Sequence, residues 1–311
     1  MSNRDLLNEF LEYKQNISMC SDQTIRAYRN DLNQFADFLL KNEVSILESS
    51  TMDIQDYLSE VGKNKNISTS SMARKLASIK SLYRYLANNK IISKNISRLI
   101  KSPKIPKRLP NFLTAKEIKR LLDYPYGDSI KDMRDRLILE LFYATGIRIS
   151  ELVRIKINDI DFKDKLIKIK GKGNKERFVI FGDGMLVVLN DYIDKLSVEE
   201  FNTGIFFLFP SHSKTNNLNT HISTRTVFSI VKKYIKNVSK NEKLSPHSIR
   251  HSFATHLLES GANVMSVREL LGHASLSSTQ IYTHVNIEKI KEEYKKSHPN
   301  GRDEKGEDIE R

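Results

Sequence analysis

Tyr282 stands in "SSTQIYTHV", residues 277–285, among serines, threonines and a histidine, with only Ile281 and Val285 as apolar neighbours. A core tyrosine usually keeps apolar company, so the setting raises the question of a chemical role for this phenol. Shortly before it, "LLGHAS" places His273 after Gly272, where a helix stops. In "SPHSIRHSFATH", His247 and Arg250 are three apart at the start of a helix and project from one face. The free N–H groups and positive dipole end there favour a phosphate or carboxylate. "ATGIRISEL" supplies Arg148 just after Gly146, with Glu151 at i+3. Local sequence leaves two readings of that pair open: an ordinary intrahelical ion pair, or an anion-gripping arginine oriented by a carboxylate. "KGKGNKER" sets Lys172 between two glycines at a turn, which suits a solvated loop lysine as well as a mobile one delivered into a cleft.

Other chemistries find little support. His247, His251 and His256 do not share one helix face at their spacing, and HExxH is absent, so neither a metal nor any other cofactor is expected. No GxxxxGK[ST] loop or GxSxG elbow occurs, which removes the usual signatures of nucleoside-triphosphate binding and serine hydrolysis. Cys20 is the only cysteine, so no internal disulfide or cysteine-built zinc site forms, and a reducing cytoplasm is the default location.

The elements that must position these residues follow from apolar periodicity. Residues 1–100 predict a four-helix bundle. One helix is marked by Leu7, Phe10 and Leu11, and a second by Ile25, Tyr28, Leu32, Phe35 and Leu39. A third carries Met52, Tyr57, Leu58 and Val61 after Ser50 and Thr51, and a fourth carries Met72, Leu76, Ile79, Leu82, Tyr83 and Leu86. Arg26, Arg29, Arg74, Lys75, Lys80 and Arg84 are assigned to the outer faces. "KSPKIPKRLPNF", 101–112, has three prolines and four basic residues and reads as an extended basic linker. A second domain, 113–296, opens on the capping box of Thr114 and Glu117. A helix through "MRDRLILELFYAT" ends at Gly146, and a β-hairpin pairs Leu166–Lys170 with Arg177–Phe181. Helices then resume around Leu186–Lys195, at Thr224–Lys236, from Pro246 to the Gly261 stop, at "NVMSVRELLG", at "SSTQIYTHV" and at "IEKIKEEYKK". Residues 297–311 read as a disordered tail.

The chain has 311 residues and a net charge of +13. The tail is acidic, so residues 1–296 carry 48 basic and 33 acidic side chains. A body this basic suits a polyanion, most often nucleic acid. No stretch approaches the ~18 consecutive apolar residues of a transmembrane helix, and "MSNRDLLNEF" lacks the order of a secretory signal.

Arg148, Lys172, His247, Arg250, His273 and Tyr282, in this order, resemble the tyrosine recombinase family. The resemblance rests on "ATGIRISEL", "KGKGNKER", "SPHSIRHSFATHLLESG" and "VRELLGHASLSSTQIYTHV", and within the family it leans toward the Xer group, with its compact length and "HP" near the C-terminus. It implies a mainly α protein: a four-helix, SAM-like core-binding domain and a mixed α/β catalytic domain with a small sheet, together clamping DNA. It implies that Tyr282 attacks a DNA phosphodiester to give a 3′-phosphotyrosine, and that Arg148 and Arg250 grip the non-bridging oxygens. Lys172 would protonate the leaving 5′-oxygen, His247 and His273 would bond the phosphate, and Glu151 would support the site. It further implies double-stranded DNA with a dif-like site as partner, a homo- or hetero-tetramer with a related recombinase, an FtsK-type translocase, and no membrane. The helix around Ile287–Lys296 would dock in trans, with Ile287, Ile290 and Tyr294 filling a neighbour's groove. The alternatives are an integrase of a mobile element, a type IB topoisomerase, and a DNA-binding protein without catalysis.

Overall fold

Serine side chains set where the helices of the N-terminal unit begin. The computed structural model describes residues 2–64, 67–103, 111–171, 176–200, 207–211, 220–271, 292, 294 and 296–298. Its contacts divide the chain into Met1–Arg108 and Leu109–Arg311. The first unit holds α1 (Asn3–Asn16), α2 (Asp22–Lys41), α3 (Thr51–Lys63) and α4 (Thr69–Asn88). Ser2, Ser21, Ser50 and Ser68 each accept a backbone N–H from the residue three further on, satisfying a donor that the helix itself leaves open. One apolar stripe per helix then meets in a shared core built around Phe10, Leu32, Phe35, Ile54, Leu76, Ile79 and Leu82.

Two expectations in this unit change. Met52 is 69% exposed, and Ile54 takes the buried position instead. The inward stripe of α3 runs through Ile54 and Tyr57 at helical spacing, and Met52 falls on the other side of it. Lys75, assigned to an outer face, is buried because Asp31 is buried. The Asp31 carboxylate takes bonds from Ser78 Oγ at 2.9 Å and Lys75 Nζ at 3.5 Å, and pairs with Arg74. A carboxylate withdrawn from water needs such partners, so it draws the lysine inward.

The second unit contains α5 (Ala115–Leu122), α6 (Ile130–Thr145), α7 (Ile149–Leu152), a 3-10 turn (Ile157–Asp159), β1 (Ile160–Asp161), β2 (Leu166–Lys170), β3 (Glu176–Ile180), α8 (Asp183–Glu200), α9 (Thr224–Val238), α10 (Pro246–Glu259) and α11 (Val264–Leu270). From Leu137 to Thr145 every residue of α6 is buried. A helix apolar all round belongs at the centre, and α6 packs against α8, α9 and α10. The strands form an antiparallel sheet in the order β1-β2-β3. Leu166 pairs with Ile180 and Lys170 with Glu176, so the second hairpin strand starts one residue earlier than the alternation suggests. Two-residue β1 is too short to show alternation at all.

The C-terminal end of the chain differs more. Positions 292, 294, 296 and 297 are helical, but Tyr294 is 2% exposed and packs in this chain's own core. Its neighbours there are Leu166, Ile180, Phe253, Leu257, Val267, Leu270 and Leu271. In this structure it is spent on the core of its own chain; Ile287 and Ile290 lie outside the described residues. Ser297 and His298, placed in the tail by composition, are buried as well. The His298 ring stacks on Tyr294 at 4.6 Å and sets Nε2 at 3.2 Å from the Tyr143 carbonyl. Gly146 ends α6 three residues after Tyr143, leaving last-turn carbonyls open, and the imidazole satisfies one of them. Composition signals solvent or disorder only on average, and here the ring contacts of His298 with Tyr294, Tyr143 and Phe253 and its bond to one carbonyl outweigh it. Among the described residues, no helix is long and apolar enough to cross a membrane. The linker at 104–110, the "SSTQIYTHV" helix and the tail from 299 lie outside the described residues.

Burial pulls the His298 imidazole down from 6.5 to about 3, with the Tyr143 carbonyl opposing and His256 adding to the fall. Below pH 6.5 the unfolded chain therefore binds a proton that the folded chain refuses, and stability falls as pH drops. The contribution is about 1.4 kcal/mol per pH unit at its steepest. In urea unfolding between pH 7.5 and pH 5, His298→Gln should show a visibly shallower acid loss than the wild type. Parallel curves would mean that His298 is not held neutral in the fold.

Candidate active site

The site is built around the break that ends α6. Gly146 has φ +59, the left-handed region that residues with a Cβ avoid. A Cβ there would also lie 2.5 Å from Phe253 Cδ1 of α10 and 3.1 Å from Leu271 Cδ2. The glycine thus does two things at once: it turns the chain out of α6 and lets α10 approach. Two residues later Arg148, in extended backbone, is the N-cap of α7.

Glu151, on the first turn of α7, holds Arg148 by two bonds. Its Oε2 accepts the Arg148 backbone N–H at 2.8 Å and its Oε1 accepts Arg148 Nη1 at 3.0 Å. A second arginine enters from the sheet. Arg177 of β3 donates Nη1 to Oε1 at 2.9 Å and Nη2 to Oε2 at 3.0 Å, a two-pronged ion pair. Side-chain exposure is 37% for Arg148 but 8% for Arg177 and 4% for Glu151. This is therefore no solvated i,i+3 pair, but a buried carboxylate with one guanidinium behind it and one facing outward. Burial alone would raise the Glu151 pKa; the hydrogen bonds and charge of Arg177, then the bonds from Arg148, more than offset this and hold it below the usual range.

Arg250 comes from α10, whose start follows from Ser245, Pro246 at the first helical position, and a Ser245 N–H bond to Ser248 Oγ at 3.1 Å. The Arg250 side chain turns inward. Its Nη1 donates to the Gly146 carbonyl and its Nη2 to the Leu271 carbonyl at 2.7 Å. Both carbonyls lie at helix C-termini, those of α6 and α11, where dipole and open acceptors favour a cation. This offsets part of the cost of burying the charge. Burial first, and then the repulsion of Arg148, pull the Arg250 guanidinium down to about 10, with Glu151 opposing. It remains charged at neutral pH.

Of the residues singled out from sequence, the structure brings together Arg148, Glu151 and Arg250. His247 sits exposed on the first turn of α10. Lys172, His273 and Tyr282 lie outside the described residues. His256 is engaged by the Tyr143 hydroxyl at Nδ1, 3.2 Å away. Among the described residues, no group of three or more His, Cys, Asp or Glu side chains is placed to hold a metal ion. Arg177 escaped the sequence reading. Its signal was present: in β3 it shares inward parity with Val179, while Glu176 and Phe178 face out. An arginine at an inward strand position implies a buried partner.

The chain matches the family described as "Phage integrase family" over residues 111–289 and that described as "Phage integrase, N-terminal SAM-like domain" over residues 7–90. It is 42% identical over 289 residues to tyrosine recombinase XerC of Thermodesulfovibrio yellowstonii, covering 90% of this chain and 91% of that one. It is 35% identical over 301 residues to tyrosine recombinase XerD of Staphylococcus epidermidis, covering 94% and 98%. Among solved structures, the XerH site-specific recombinase in a post-cleavage complex with palindromic difH substrate shares the fold, with a TM-score of 0.70 at 22% identity over 92% of this chain and 82% of that chain.

Because a Cβ at position 146 meets both a positive φ and the Phe253 ring, Gly146→Ala should cost about 2–4 kcal/mol of stability. Urea midpoints measure this. Adding Phe253→Leu should recover the steric share and leave the backbone share. A Gly146→Ala protein as stable as the wild type would contradict the close approach of α10.

Proposed function

The chain belongs to the phage integrase family and is a tyrosine recombinase, and from that premise we propose that it is a Xer-type site-specific recombinase acting on double-stranded DNA to resolve chromosome dimers at a dif-like site. The observation that carries the chemistry is the meeting of Arg148 and Arg250: the Arg250 guanidinium is bonded to the carbonyl of Gly146, two residues before Arg148. Arg148, Arg177 and Arg250 stand against the single carboxylate of Glu151, an excess of positive charge suited to a phosphodiester whose negative charge grows in the transition state. The names of the XerC and XerD relatives and the difH duplex held by XerH support the choice of substrate.

In the proposed reaction the Tyr282 oxygen attacks the scissile phosphorus and the phosphorus–5′-oxygen bond breaks. His247 assists removal of the phenolic proton, Lys172 delivers a proton to the leaving 5′-oxygen, and His273 bonds a non-bridging oxygen. Arg148 and Arg250 neutralise the two non-bridging oxygens. A 5′-hydroxyl from the partner strand then attacks the phosphorus of the 3′-phosphotyrosine, giving up its proton; the phosphorus–Tyr282 oxygen bond breaks, the phenol regains a proton, and the backbone is restored. The energy of the original bond is kept in the covalent intermediate, so no nucleotide is consumed. Exchange between two DNA sites uses a tetramer, of this chain alone or with a related recombinase, under the control of an FtsK-type translocase.

Tyr282→Phe should bind DNA as the wild type does and give no covalent adduct on nicked suicide substrates; an SDS-resistant adduct from that variant would remove Tyr282 from the role of nucleophile. Lys172→Ala should slow cleavage by roughly 10²–10⁴-fold and recover on DNA with sulfur at the bridging 5′ position, since a thiolate leaves without a proton. Equal rates on the two substrates, with binding intact, would return Lys172 to the role of a solvated loop residue. The cellular role is tested by recombination between two dif-like sites on one plasmid. Excision supports it. Excision only at element attachment sites points to a mobile-element integrase, and cleavage without exchange to a topoisomerase.

A further inference from the structure

Arg177 has no place in the reaction above, yet it is the most deeply tied cation of the site. Glu151 offers about four lone-pair directions, and all four are taken: two by Arg148 and two by Arg177. Arg148 and Glu151 are neighbours on one turn, and their two bonds tie the carboxylate only to its own short segment. The planar fork of Arg177 adds an anchor from the sheet, because two parallel N–H bonds fix the plane of the carboxylate against β3. The plane then fixes where the Arg148 backbone N–H and Nη1 lie. Arg177 itself is buried, and both of its terminal nitrogens are spent on Glu151.

We propose that Arg177 is a positioning residue for strand cleavage, acting through Glu151 to hold the Arg148 guanidinium in the orientation that meets the scissile phosphate. This rests on the reading that Arg148 contacts that phosphate. The arrangement has a second consequence. Arg177 is the second residue of β3, five residues after Lys172 in the sequence, while Glu151 belongs to α7. One ion pair therefore ties the sheet whose hairpin carries the proposed proton donor to the helix that carries the phosphate-binding arginine.

The test uses the full chain under single turnover, with saturating DNA, on two suicide substrates. One has the natural phosphodiester; the other is a methylphosphonate, in which a methyl replaces one non-bridging oxygen and the charge is gone. Arg177→Met should bind DNA within about twofold of the wild type and cleave the natural substrate roughly 10²-fold more slowly, the size of a small misplacement of a reacting group. On the methylphosphonate the defects of Arg148→Ala and of Arg177→Met should both shrink, and the double variant should be no slower than Arg148→Ala alone. Arg177→Lys keeps the charge without the fork and should fall between the wild type and Arg177→Met; it carries the same comparison should Arg177→Met fail to fold. If Arg148→Ala is equally defective on both substrates, Arg148 does not neutralise the phosphate and the underlying reading fails. If Arg148→Ala is relieved by the neutral substrate but the Arg177 variants are not, or if the two defects multiply in the double variant, Arg177 is structural only and the proposal is overturned.

Discussion

Like charges must be kept together in this protein. Arg148, Arg177 and Arg250 crowd one carboxylate; burial first, and then the repulsion of Arg148 and Arg177, lowers the pKa of Arg250. Bringing guanidiniums out of water near one another is unfavourable unless each finds acceptors. The fold supplies them from three directions. Glu151 serves Arg148 and Arg177, the C-terminal carbonyl of α6 and that of α11 serve Arg250, and α10 delivers Arg250 at a depth that only a glycine at position 146 permits. The site is thus charged before any ligand arrives. Under the proposed reading these fixed charges meet the negative charge that develops on the phosphate, where preorganised charges are most effective.

The same chain break serves stability and chemistry together. By ending α6, Gly146 leaves carbonyls without intrahelical partners. Arg250 takes the one at Gly146, and His298, arriving from the far end of the chain, lies against the one at Tyr143. Phe253 packs against both the glycine and His298. A perturbation of the C-terminal end therefore reaches the residues that hold Arg250 through a short path of packed rings, with Tyr294 and His298 stacked at one end of it and Phe253 at the other. This is a structural adjacency; its energetic coupling is accessible to double-mutant cycles.

Much of the fold is legible in the chain because its signals are local. A serine before an apolar stripe announces each helix of the N-terminal unit, as at Ser21 and Ser68. Thr114 with Glu117 announces α5, Ser245 with Pro246 announces α10, and Gly146 announces the end of α6. Alternation announces the hairpin, though its second strand begins a residue earlier because register is set by the partner strand. Part of the candidate site is legible in the same way, while Lys172, His273 and Tyr282 lie outside the described residues. Arg148, Glu151, His247 and Arg250 stand at breaks and helix starts, and the glycine and proline chemistry of those positions depends on only a few neighbouring residues.

The sequence by itself determined where elements start and stop, which faces are apolar, and which residue types stand at their ends, since each depends on neighbours within a turn or two. The tertiary structure alone decided who meets whom. It paired Arg177 with Glu151 across the gap between β3 and α7, drew Lys75 in toward Asp31, and buried Tyr294 and His298 in this chain rather than leaving them for a neighbour or for solvent. Each of these is a long-range pairing of a polar or aromatic side chain, governed by the cost of leaving a buried group without a partner. That cost is evaluated only once the chain has closed on itself, and no local periodicity encodes which of many possible partners will be there.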